Sequence, residues 1–247
     1  MLRSRHLVLV CVTLFVSSIL ISCAEKKSGP NTLTEAEEEQ GWELLFDGES
    51  TKGWHVYNEG AVPSVWVVKD GALVCDPEVE EGSRGDLVSD KSYTDFDFKF
   101  DWKISRAGNS GVFINVQEDT AYKTAWATGP EYQLLDNANV TDHNKNDSLR
   151  QAGCLYGMVP LKNNASPRPY TEWNEGRIVQ QNGKITFWLN GVVSAEEDIN
   201  SSRWKELVAA SSLGKFPAFG KSTSGRLALQ DWARGVSFRN LKIRELK

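Results

Sequence analysis

The run Phe96–Ile104, FDFKFDWKI, alternates large apolar and charged side chains without interruption. In an extended chain successive side chains take opposite faces. Phe96, Phe98, Phe100, Trp102 and Ile104 therefore share one face, and Asp97, Lys99, Asp101 and Lys103 the other. This is a β-strand with one buried side, and it needs a second layer to bury that side. Turn signals extend the pattern along the chain. Asp70-Gly71 separates VWVVK from ALVC, Asn182-Gly183 separates RIVQQ from KITFWL, and Asn190-Gly191 follows directly. Such dipeptides tolerate the positive φ that tight hairpin turns require. One interior segment, Ser202–Ala210, reads as a helix, with Trp204, Leu207 and Val208 at i, i+3 and i+4 behind a serine cap. Many short strands with one short helix predict an all-β fold, a sandwich of two antiparallel sheets. Trp188, between the apolar Phe187 and Leu189, falls on the non-core side of its strand, as expected of a concave sheet lined for a ligand.

The N-terminus has a separate purpose. Arg3 and Arg5 precede an apolar run from Leu7 to Ile21, which ends in Leu20-Ile21-Ser22-Cys23. This resembles a bacterial lipoprotein signal. Residues 1–22 would be removed and Cys23 acylated, anchoring the protein to the cell envelope, with the outer membrane the expected site. Residues 23–40 are polar and acidic and read as a tether, with a helical turn capped by Thr34 and Glu37. Residues 41–247 form one domain. The formal charge of the whole chain is −5, and loss of Arg3 and Arg5 makes it more negative. Nucleic acid is excluded as a partner on that ground. With Cys11 in the leader and Cys23 taken by lipid, Cys75 and Cys154 remain, either as a disulfide or as buried free thiols.

Six blocks in the same order carry a family resemblance: GWELLFDGESTKGW (41–54), GNSGVFIN (108–115), ATGPEYQLLDN (127–137), TEWNEGRIV (171–179), FWLNG (187–191) and GRLALQDWARGVSFRNLKIREL (225–246). Together they resemble the 3-keto-disaccharide hydrolase domain family. The resemblance implies a concanavalin-like jelly roll and cleavage of sugars already oxidised to a ketone at C3. This sequence departs from the family pattern twice. Asn115 stands where the family has arginine, and Trp232 stands where it has histidine.

Alternation then sorts the candidate site. Glu131 and Gln133 share a face, about 6–7 Å apart, while Tyr132 and Leu134 take the other. Val112, Ile114 and Val116 look inward, so Phe113 and Asn115 look outward; Leu227 and Leu229 look inward, so Gln230 and Trp232 look outward. With Asn109, the expected substrate face collects Asn109, Phe113, Asn115, Glu131, Gln133, Gln230 and Trp232. Amides, a carboxylate and aromatic planes suit a carbohydrate. For a sugar ketonised at C3, Glu131 is the expected base and Tyr156 a proton donor. His55 and His143 have no recognisable ligand spacing, whereas Asp136, Asp142 and Asp147 are candidate oxygen ligands for a divalent metal such as calcium. Two other readings follow from the same residues. Glu131, Gln133 and Asp136 have a spacing similar to the carboxylate motif of jelly-roll glucanases, which need two carboxyl groups roughly 5–10 Å apart. Alternatively, Trp232 in place of a polar residue fits a non-catalytic carbohydrate-binding module.

Overall fold

The structure is a computed structural model that describes residues 29–232 and 234–247. The leader and Cys23 lie outside the described residues. The strands are β1 (Glu43–Leu44), β2 (Trp54–Val56), β3 (Trp66–Lys69), β4 (Ala72–Cys75), β5 (Leu87–Tyr93), β6 (Phe96–Ile104), β7 (Asn109–Val116), β8 (Glu131–Leu135), β9 (Asn174–Gln181), β10 (Lys184–Leu189), β11 (Val192–Asp198), β12 (Gly225–Leu229) and β13 (Val236–Glu245). The helices are α1 (Glu35–Glu39) and α2 (Ser202–Ala210).

Two antiparallel sheets pack face to face, as the alternation requires. An eight-stranded sheet runs β11-β10-β9-β6-β13-β4-β3, with β1 added to β13. A five-stranded sheet runs β2-β5-β12-β7-β8. The apolar face of β6 lies in the shared core, where Phe96, Phe98, Phe100, Trp102 and Ile104 are all buried with Val112, Ile114, Leu227 and Leu229 of the opposing sheet. Tyr132 of β8 joins the two layers. Its ring meets Phe100 edge-on with centroids 5.3 Å apart and Phe187 at 5.1 Å. Its hydroxyl donates to the Trp188 carbonyl at 3.0 Å, so the polar tip of a fully buried ring is satisfied across the sandwich.

The turns form for the reason their dipeptides indicate. Asp70, Asn182 and Asn190 have φ of 53°, 52° and 49°, and the glycine after each is also positive. Helix α2 begins at the expected cap, with the Ser201 hydroxyl accepting from the Trp204 amide at 3.0 Å. The Trp204 indole is buried and donates to the Gly220 carbonyl at 2.7 Å, fixing the segment that follows the helix.

Two expectations are corrected, and the state of the two cysteines, left open between a disulfide and free thiols, is resolved. The Thr34–Glu37 capping box is present, but its helix is no free spacer. Glu37 pairs with Lys242 at 2.7 Å, and Asn31 exchanges hydrogen bonds with Asn240 and donates to the Gly71 carbonyl. From Asn31 onward the segment belongs to the cover of the eight-stranded sheet. Trp188 lies on the outer face of that same sheet, paired with Arg177, and not on the face that carries the candidate site. Cys75 and Cys154 are buried free thiols, the first donating to Asp231 and the second to the Leu149 carbonyl.

Because Tyr132 fills the space between the sheets, Tyr132→Ala should lower the unfolding free energy by about 3–5 kcal/mol, as for other buried aromatic truncations. Tyr132→Phe should cost only about 1 kcal/mol, the hydrogen bond to Trp188. Urea denaturation checks both; an Ala variant as stable as the Phe variant would contradict this role.

Candidate functional site

The face of the five-stranded sheet that points away from the core carries a cavity of about 220 Å³. Its floor is built by alternation. Tyr132 and Leu134 are in the core, so Glu131 and Gln133 face the cavity beside Asn109, and Gln230 follows β12 onto the same face. Leu155 bridges Tyr132, and the Tyr156 amide donates to the Glu131 carbonyl at 3.0 Å. Tyr156 thereby pairs with Glu131, and the two side chains enter one cavity. The walls are Trp126, the segment Ser212–Phe216 and Trp232.

Glu131 is the most unusual group here. It is only 7% exposed, yet among the described residues its carboxylate accepts no hydrogen bond. Burial pushes its pKa well above the usual carboxylate range, and the negative charge of Asp86 adds to the effect. Space for it exists because its neighbour on β7 is glycine: a Cβ on Gly111 would lie 2.1 Å from Glu131 Oε1. Gln230 is also buried, and its side-chain amide likewise has no partner among the described residues. By contrast, Gln133 is held locally, donating to Asn109 at 3.4 Å and accepting from the Leu134 amide at 3.1 Å. The polar ends of Glu131 and Gln230 thus face the cavity with no protein partner among the described residues. The phenol of Tyr156 is pushed up by burial and opposed by Arg150, whose guanidinium lies 5.6 Å from the ring centroid.

Asp86 organises this arrangement from below. Its two oxygens accept from the backbone amides of Asp231 at 3.1 Å and Ala125 at 3.3 Å. Each amide adjoins a wall tryptophan, Trp232 and Trp126. Burial pushes the Asp86 carboxyl up to about 7, against the lowering by those two hydrogen bonds. Trp126 packs edge-on against Phe216 at 4.8 Å, whereas Trp232 is 51% exposed at the rim.

Asn109, Glu131, Gln133, Tyr156, Gln230 and Trp232 thus line one cavity, and the other expected residues do not join them. Phe113 takes the outward face, directly opposite Glu131, but it is covered by Tyr57, Val88, Ala228 and Trp126 and is fully buried. Asn115 points the other way because the β7/β12 register shifts near it and its φ is 57°. Its amide bonds to Gln180 between the sheets, at 2.6 Å. Asp136 accepts from the distant Ala107 amide, whereas Asp142 and Asp147 close their own turns by accepting from the Asn144 and Leu149 amides, and Asp147 also pairs with Arg150 at 3.0 Å. Among the described residues no group of three or more His, Cys, Asp or Glu side chains converges as metal ligands. With Asp136 turned to Ala107, the glucanase-like carboxylate set is not assembled either. Asp86, Trp126, Lys215 and Phe216 escaped the sequence reading. Trp126 stands three residues before the recognisable GPEYQ block, and the others sit in connections where alternation carries no information.

The raised pKa of Glu131 fixes the sign of its linkage to stability. A carboxyl whose folded pKa exceeds its unfolded value binds its proton more tightly when folded, so it destabilises the fold as pH rises past 4.5 and most fully above its folded pKa. Glu131→Gln should therefore be more stable than wild type at pH 8, with the gain shrinking towards pH 4. Equal or reversed ordering in thermal melts would contradict the burial argument. Removing the charge below it, as in Asp86→Asn, should shift the Glu131 carboxyl titration, followed by carbon NMR, to lower pH.

A family model for the 3-keto-alpha-glucoside-1,2-lyase-like domain matches residues 41–244. A protein of Bacteroides thetaiotaomicron named 3-keto-disaccharide hydrolase is 32% identical over 209 residues, covering 75% of this chain and 71% of its own. A crystal structure from Parabacteroides distasonis, bearing a provisional glycosyl hydrolase name, is 35% identical with a TM-score of 0.80, covering 89% of this chain and 100% of its own. A second from the same organism, at 24% identity and TM-score 0.64 over 83% of this chain and 99% of its own, shares the fold.

Proposed function

This chain belongs to the 3-keto-alpha-glucoside-1,2-lyase-like family, and on that premise we propose that it cleaves glycosides carrying a ketone at C3. The observation that carries the reading is Glu131, a buried carboxyl with no hydrogen-bond donor on it among the described residues, facing a cavity it shares with Tyr156. A ketone at C3 acidifies the proton on C2. Glu131, ionised, takes that proton. The C2–H electron pair becomes the C1–C2 double bond as the C1–O bond breaks, and the departing oxygen receives a proton from Tyr156. Water then adds its oxygen to C1 and its released proton restores Tyr156, while Glu131, after exchange with solvent, returns a proton to C2, so the net result is hydrolysis. The free Gln230 amide supports the developing charge on the ketone oxygen, and Trp232 and Trp126 offer rings to the sugar's C–H face. The raised pKa makes Glu131, once ionised, a stronger base towards the weakly acidic C2 proton. In the same reading the domain is held at the outer membrane by lipid on Cys23, supported by the pattern of the leader.

A second reading, a binding module without turnover, is favoured by Trp232 alone, a half-exposed ring where the family pattern has histidine. The two separate cleanly. Purified protein should cleave 3-keto-glucosides and leave the corresponding unoxidised glucosides intact. Glu131→Gln should lose about 10²-fold or more in turnover while still binding the ketosugar. Saturable binding of an unoxidised glycan, with no ketosugar cleaved above the buffer rate, would favour the module. Trp232→Ala should weaken binding by about 1–3 kcal/mol and, because the ring is at the rim, leave folding unchanged.

A further inference from the structure

A second cavity, of about 370 Å³, is on the opposite side, on the outer face of the eight-stranded sheet. Strand register sets its floor. Trp188 is opposite Arg177, Arg177 opposite Lys99, and Lys99 opposite Lys242, so β10, β9, β6 and β13 contribute one residue each to a row with three adjacent cations. Like charges directly across a sheet repel, and two of the three are neutralised. Arg177 makes a two-pronged contact with Asp97 at 2.7 and 2.8 Å, and Lys242 pairs with Glu37 at 2.7 Å. Lys99, in the middle, has no ion pair within 4.0 Å among the described residues. Its ammonium rests on the Trp42 ring, 4.1 Å from the centroid.

We propose that this cavity is a second saccharide site, for a sugar bearing an oxyanion, with the acid group on Lys99 and the ring beside Trp188. Lys99 is the cation of the row that makes no ion pair within 4.0 Å among the described residues, and a carboxylate or sulfate ester supplies that partner. Burial lowers the Lys99 pKa from its ordinary value, opposed by the carboxylates of Asp97 and Glu37 and aided by Arg177 and Lys242. The flanking charges are already fixed by partners: Asp101 by Arg239 at 3.0 Å and Asn240 at 2.8 Å, Arg177 by Asp97. Fixed donors and acceptors around an aromatic plane are what sugar hydroxyls and a C–H face require. Glu175, exposed at the rim, offers an acceptor to those hydroxyls. The inference does not rest on the reaction proposed above, because the two cavities lie on opposite sides of the sandwich.

The probes are a glucuronate-containing disaccharide, glucose 6-sulfate, neutral cellobiose and inorganic sulfate, titrated into the full chain while the Trp188 indole N–H resonance, assigned with Trp188→Phe, is followed. At least one acidic sugar should bind and shift that resonance, and the carboxylate and sulfate arms identify which oxyanion is taken. Lys99→Gln should weaken that binding at least tenfold, Lys99→Arg should largely keep it, and Glu131→Gln should leave it unchanged. Lys99→Gln should keep the thermal melting transition and the remaining indole resonances of wild type, which shows that the variant is folded. The proposal is overturned if cellobiose binds as tightly as the acidic sugars, if inorganic sulfate alone does so, if Lys99→Gln binds as wild type does, or if the Trp188 resonance does not move.

Discussion

The placement of Tyr132 between the two sheets governs everything on the cavity side. Its ring contacts aromatic residues on β6 and β10 and its hydroxyl reaches the Trp188 carbonyl, so the facing of β8 is fixed by packing from one side. With the side-chain period of a strand equal to two, a slip of one residue would exchange every face. Tyr132 in the core therefore means Glu131 and Gln133 out, and Glu131 out means a carboxylate lying over Gly111. Core and site are two sides of one five-residue strand, and neither can move without the other.

The two faces of the molecule handle charge differently. On the outer face of the eight-stranded sheet, Asp97 is buried but held by Arg177 and Arg244, and tryptophans carry cations on their rings, as Trp42 does Arg244 and Trp173 does Arg239. The buried Asp97 is thus compensated by half-exposed guanidinium groups. On the face of the five-stranded sheet, Glu131 and Asp86 are buried near one another with no cation paired to either among the described residues, and both carboxyls are pushed upward. Leaving a charge uncompensated costs stability. A carboxyl pair kept at that cost beside an open cavity supports the proposed base role of Glu131.

The sequence disclosed whatever obeys a fixed period. The buried face of FDFKFDWKI, the Asp-Gly and Asn-Gly turns and the cap of α2 each follow from local rules, and each has the expected geometry. The cavity floor was legible for the same reason, since Glu131, Gln133 and Gln230 are placed by parity. Failures began where the period breaks or a third layer arrives. The irregularity at Asn115 reversed its direction and sent an amide between the sheets. Phe113 kept its face but is roofed by Trp126, and a covering loop leaves no trace in alternation. Trp188 was correctly placed off the core, yet parity cannot say which of two sheets a strand joins. Asp86, at the end of the connection between β4 and β5, accepts from two backbone amides far along the chain, and no local pattern encodes such partners.

The central claim is that Glu131 removes the proton from C2 of a 3-keto sugar. The direct measurement is the fate of deuterium placed at C2 of a 3-keto-glucoside, followed by mass spectrometry of the product in ordinary water, with Glu131→Gln in parallel and the buffer exchange rate subtracted. The account predicts that the wild-type product loses its label to solvent as the glycosidic bond breaks, and that Glu131→Gln neither releases label nor cleaves above background. A product formed by Glu131→Gln at wild-type speed, with deuterium still on C2, would contradict it.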